Sequence, residues 1–211
     1  MKLNEKILDL SLLLGAAAAI LCAAFADFAA QCEEAQEKAF RLHILANSNS
    51  AADQEMKYGL RDYILDDLGY LFRSCDTKEE TVSLARRSLP LIEERVNEYL
   101  DQKGCDYGAV CTVEKCDFST RKYGDVTLPA GEYDALRIVL GAGEGRNWWC
   151  VLYPSVCLPS ATVPRALPSR TVYEEEKERA KRTADSLAIE NGEGIEFRFA
   201  LYEWLCDIFG F

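Results

Sequence analysis

The residues of this chain with most chemistry to offer are two cysteines, one histidine and a pair of tryptophans. Cys150 and Cys157 flank Pro154, and Trp148-Trp149 stand directly before Cys150. A thiol acts as a nucleophile when a base is within reach, and histidine is the usual base. His43 is the single histidine, so a Cys150–His43 pair is the one thiol-hydrolase arrangement on offer. A lone histidine on a strand is more often structural or a surface residue. No G-x-S-x-G, H-E-x-x-H or phosphate-loop pattern occurs. Asp66 and Asp67 are neighbours in a helical stretch, where adjacent side chains point apart, so they cannot face each other as acid and base. Gly141-Ala142-Gly143-Glu144-Gly145 follows a strand but opens no clear helix, which makes it a turn rather than a phosphate cradle. No C-x-x-C is present and one histidine supplies few ligands, so neither a metal nor another cofactor is expected, and no catalytic residue is assigned.

The remaining composition narrows the class. The chain has 211 residues, 49% of them apolar, and a formal net charge of −11. Such acidity argues against nucleic acid and against adsorption on anionic lipid heads, both of which need a basic face. Lys2 and Lys6 precede an apolar run from Leu10 to Ala26, closed by Asp27, Glu33 and Glu34. As a helix the run is about 26 Å long. Lysines before it and acids after it predict that the rest of the chain is exported. Residues 1–26 read as a signal peptide, with Ala24-Phe25-Ala26 as the cleavage site, or as a retained anchor that touches the membrane. Residues 27–211 read as one exported domain. All nine cysteines but Cys22 lie beyond the run, in a compartment that permits disulfides. A Cys150–Cys157 bridge would close a short loop around Pro154, worth about 2.5 kcal/mol by loop entropy. Buried thiols in an organism living without oxygen are the alternative.

The elements that must position these residues follow from periodicity. Phe40-Arg41-Leu42-His43-Ile44-Leu45 predicts a strand with Phe40, Leu42 and Ile44 inward. Asn47 to Ser50 break it, and Ser50 with Asp53 approximates a capping box opening a helix over 51–72. Met56, Leu60, Ile64, Leu68 and Leu71 form its apolar stripe. Thr77 and Glu80 cap a second helix, which Pro90 either kinks or restarts and Gly104 closes. Strands are expected near Ala109–Glu114, Arg121–Val126 and Tyr133–Leu140, paired mostly antiparallel. Asn147 to Thr162 reads as mostly loop. Residues 172–189 form a charged helix or insert. Ile195, Phe197 and Phe199 alternate as a last strand, and Leu201 to Phe209 predicts a terminal helix. The sum is an α+β fold: an N-terminal hydrophobic helix, then a helical half and a small, mostly antiparallel sheet in one domain. Trp148 and Trp149 suit either a core or an interface, and one ring could serve each.

Phe40 to Asp62, F-R-L-H-I-L-A-N-S-N-S-A-A-D-Q-E-M-K-Y-G-L-R-D, resembles the opening block of the stage II sporulation protein R family, R-x-x-I-L-A-N-S-D-S-x-x-D-Q-x-x-K-x-x-V-R-D. Asn49 and Leu60 depart from it. Tyr123-Gly124, Pro129 to Tyr133, Ala135 to Ile138, and Gly145 with Asn147 through Leu152 to Pro154 and Cys157 resemble its second block. Phe197 to Glu203 resembles its end. Cys75, Cys105, Cys111 and Cys116 lie outside that pattern. The resemblance implies a non-enzymatic signal made in the forespore and exported into the space between forespore and mother cell. There it would activate a membrane-embedded aspartic protease that processes pro-sigma-E. Asn47, Ser48 and Ser50 in the strand–helix turn, with Trp148 and Trp149, are the candidate partner contacts.

Overall fold

The computed structural model describes residues 2–73, 75–123, 126–154, 200 and 204. Helix α1 (Lys2–Lys38) carries the apolar run and continues beyond it without a break. Leu13, Ile20 and Leu21 on that run are 66 to 70% exposed. By length and composition it can cross a membrane, which fits a signal peptide or an anchor. Its C-terminal third differs. Phe28, Cys32 and Ala35 are buried, at the spacing that lines up one helix face. Gln36 then donates from Nε2 to the Ala130 carbonyl at 2.7 Å. The end of α1 is therefore part of the domain.

Strand β1 (Phe40–Leu45) leads through a turn into α2 (Ala51–Tyr63), a single π-turn over Ile64–Leu68, α3 (Gly69–Arg73) and α4 (Lys78–Gln102). Both expected caps form. Ser50 accepts from Asp53 N, and Thr77 accepts from Glu80 N. The Glu80 carboxylate accepts in return from Asp76 N at 2.9 Å. Helix α4 runs past Pro90, whose side chain is exposed. Water can satisfy the carbonyl that the missing N–H leaves unbonded. Gly104, at φ +76°, turns the chain out of α4 in the left-handed region.

Strands β2 (Ala109–Phe118), β5 (Gly131–Leu140) and β6 (Asn147–Tyr153) join β1 in one sheet, in the order β2-β5-β1-β6. Strands β3 (Arg121–Tyr123) and β4 (Val126–Leu128) form a separate ribbon. The fold is the expected α+β, mostly antiparallel but mixed. Strands β2–β5 and β1–β6 pair antiparallel, while β1–β5 is parallel. The long helical crossover after β1 makes the parallel neighbour possible, since no short turn joins the two. As the most completely buried strand, β1 takes a central position. The region expected as loop after Asn147 is instead strand β6 as far as Tyr153. Trp149 and Val151 alternate with Trp148, Cys150 and Leu152, a period of two in β-favouring residues that the flanking glycines and Pro154 mask. The expected bridge, the charged stretch and the C-terminal strand and helix involve residues outside the described set.

One face of the sheet is dry. Phe40, Leu42, Ile44, Leu136, Ile138, Leu140, Cys111, Cys150 and Leu152 pack against Leu60, Ile64, Ile92, Val96 and Leu100 of the helices. The other face carries Arg41, His43, Phe118, Tyr133, Ala135 and Trp149, as the strand registers dictate.

Candidate partner-contact site

The turn after β1 is built from polar side chains that bond one another. Asn47 Nδ2 and Ser48 Oγ both donate to Asp53 Oδ2, at 3.1 and 2.5 Å, and Tyr107 Oη donates to Asp53 Oδ1 at 2.7 Å. These bonds, that from Ser48 first and Tyr107 next, hold the Asp53 carboxyl below its ordinary range. Asn47 Oδ1 accepts from Ala142 N at 2.9 Å, and Ser50 Oγ accepts from Asp53 N at 3.1 Å. Gln54 donates to the Ser48 carbonyl at 2.8 Å, and the buried Lys57 donates to Gln54 Oε1 at 2.7 Å and to the Arg146 carbonyl at 3.1 Å. The glycine loop is the other half of this knot. Strands β5 and β6 flank β1, so their connection must cross its end. Glu144 N and Gly145 N bond the carbonyls of Asn47 and Ala46, at 3.0 and 2.8 Å. Gly145 has no room for a side chain, since a Cβ there would lie 2.3 Å from the Ser48 carbonyl oxygen. The glycines make a turn, as read from the sequence. The polar groups of Asn47, Ser48 and Ser50 are engaged in holding it.

Trp148 and Trp149 are adjacent on β6 and so point to opposite faces. Both are half-buried: each ring packs on the domain and leaves part of its surface outside. Trp148 lies on the helix side. Tyr58 meets it edge-on at 5.6 Å, and the Arg61 guanidinium sits 4.6 Å from its ring centre. Tyr58 itself is 42% exposed. The result is a surface patch of Tyr58, Arg61 and Trp148 beside the turn. Tyr58 and Arg61 did not stand out in the sequence, because charged and aromatic residues on an exposed helix face are ordinary. Trp149 lies on the other side, stacked on His43 at 6.1 Å and covered by Arg121 at 4.4 Å. Neither indole N–H has a hydrogen-bond partner.

His43 and Cys150 do not meet. Their register partners are Trp149 and Leu42, which places His43 on one face of the sheet and Cys150 on the other. Cys150 is moreover disulfide-bonded, so it has no thiol to activate. Cys157 lies outside the described residues. His43 Nε2 lies 2.6 Å from Asn147 Oδ1, and burial lowers the His43 pKa despite that bond. The Cys111 thiol is pushed up to about 12, by burial and then by Glu93, far from a reactive thiolate. Among the described residues, no group of three or more His, Cys, Asp or Glu is placed to hold a metal.

Arg41 is the residue the sequence conceals. On an alternating strand it should face solvent, yet it is fully buried. Its guanidinium lies 3.9 Å from the Phe118 ring centre and 4.8 Å from that of Tyr133. Nη2 donates to Tyr123 Oη at 2.5 Å, Nε reaches the Cys150 carbonyl at 3.4 Å, and Nη1 has no partner.

The domain is α+β and is led by one apolar helix long enough to cross a membrane, which fits a signal peptide or an anchor. Comparison with known families is more specific. Residues 36–163 match the family model described as Stage II sporulation protein R. Stage II sporulation protein R of Bacillus subtilis (strain 168) is 32% identical over 184 residues, covering 82% of each chain. The chain belongs to the Stage II sporulation protein R family, and its role is in sporulation. No solved structure matches it.

Proposed function

We propose that this protein is an intercellular signal exported from the forespore, and that it activates a membrane-embedded aspartic protease of the mother cell, which then processes pro-sigma-E. Family membership is the observation that carries the reading. The exposed apolar run of α1 supports export. Activation requires the protein to bind the active state of the protease better than the inactive one. The patch of Trp148, Tyr58 and Arg61 suits that contact, because half-buried aromatics beside an arginine are the usual anchors of an interface. Trp149 offers a second contact on the other side of the same strand. Asn47, Ser48 and Ser50 hold the turn that sets the patch in place.

The test is co-expression of the full chain with the protease and its pro-factor in a non-sporulating host. Processing should depend on the chain and survive His43→Ala. The surface variants Tyr58→Ala and Arg61→Glu, together with Trp148→Ala, should abolish processing at unchanged export. Processing that persists in all three removes the patch from the proposal, and processing that does not depend on the chain removes the proposal itself.

A further inference from the structure

Among the described residues, Arg41 is a buried cation without an anion. It is fully buried, and its two hydrogen bonds go to neutral acceptors, a phenol and a carbonyl. Burying a guanidinium without a carboxylate costs several kcal/mol, which flanking rings offset only in part. Lys57, the other fully buried cation among the described residues, bonds two acceptors and has no atom left over. Arg41 retains a free N–H edge at Nη1.

Its neighbours on that face reinforce the imbalance. Burial lowers the Arg41 pKa, and repulsion from Arg121 adds a smaller push in the same direction; the Arg121 guanidinium itself rests on Trp149. Glu114, on the same face, is already joined to Arg137 at 3.0 Å. Trp149 Nε1 and His43 Nδ1 are also buried without partners. A locally cationic cluster packed among Phe118, Tyr133 and Trp149 thus sits in a chain of net charge −11.

We infer that this face is a receptor for a carboxylate presented by an acidic peptide segment of a partner protein, with Arg41 and Arg121 as its cationic contacts and Trp149 as its wall. A guanidinium presents a planar fork of N–H groups that pairs bidentately with a carboxylate. Entry is through the β3–β4 ribbon. Two strands of three residues each, Arg121–Tyr123 and Val126–Leu128, are too short to be stable alone. Tyr123 Oη bridges Arg41 Nη2 and the Trp149 carbonyl, at 2.5 and 3.3 Å. The incoming carboxylate takes the place of that hydroxyl and reaches Nη1 as well.

The experiment uses the full chain in detergent micelles, labelled with nitrogen-15 at arginine and tryptophan. It is titrated with an amidated hexapeptide of aspartate and leucine, with the same peptide carrying asparagine for aspartate, with sodium acetate, and with inorganic phosphate. The acidic peptide should saturably shift the Arg41 Nε and Trp149 Nε1 resonances, at least tenfold more tightly than its asparagine counterpart. Acetate should move the same resonances at higher concentration. Arg41→Met and Arg121→Ala should each weaken binding at least tenfold, and Tyr123→Phe should strengthen it severalfold by removing the internal competitor. Resonances that the acidic and asparagine peptides move alike, binding unaffected by Arg41→Met, or a preference for phosphate would each overturn the inference. None of these readouts involves the protease, so the inference and the signalling proposal fail separately.

Discussion

The turn after β1 and the back face of the same strand are two polar clusters built from one stretch of sequence, and they are finished to different degrees. Around Asp53 each side-chain polar group described above has a partner, and the cluster closes on the Gly141–Gly145 loop. Around Arg41, three donors or acceptors are buried with none: Arg41 Nη1, His43 Nδ1 and Trp149 Nε1. A fully satisfied buried network rigidifies a fold, whereas a partly satisfied one carries a standing penalty. The first cluster is therefore architecture. The second holds unused bonding capacity, and that is where a partner has something to gain.

Exchanging side chains tests this difference most severely. Asp53→Ala strands Asn47, Ser48 and Tyr107 together and should lower stability by about 3 kcal/mol, read as a drop in urea midpoint. Arg41→Met replaces an unpaired buried charge with an apolar chain of similar length, so it should change stability by about 1 kcal/mol or less, or raise it. Equal losses in the two variants would erase the distinction.

Acid should separate the clusters more gently. The folded pKa of Asp53 lies below its unfolded value, so the native state binds fewer protons there. The resulting stability is complete at neutral pH and drains away as pH falls from about 4, the ordinary carboxylate value, toward the folded value. Asp53→Asn should flatten that acid limb in a pH series of urea melts. His43 acts earlier and more weakly. Burial lowers its folded pKa, so the fold prefers the neutral ring, and stability declines once pH drops through about 6.5. A shallow loss of stability between about pH 7 and 5 is expected, absent in His43→Gln. Stacked Trp149 fluorescence should follow the same midpoint.

The legible parts of this fold are those governed by neighbours in sequence. Alternation gave β1, and the Ser50–Asp53 and Thr77–Glu80 spacings gave both helix starts, because caps are local. Strand β6 was hidden since glycine and proline on either side outweighed the alternation between them. The inward turn of Arg41 was hidden for a different reason. Its enclosure draws Phe118, Tyr123 and Tyr133 from three strands that lie far from Arg41 in the sequence. The partition of the two tryptophans followed only once the strand was known.

Helix α1 has a mechanical consequence. It is one rod from the apolar run to the buried stripe of Phe28, Cys32 and Ala35, so whatever grips its first half also sets the bearing of the domain. Each residue added between Ala26 and Phe28 would swing the domain by about 100° around the rod and raise it by about 1.5 Å. In a chain that keeps this helix whole, the direction in which Trp148 and Arg61 look is thereby written in a residue count.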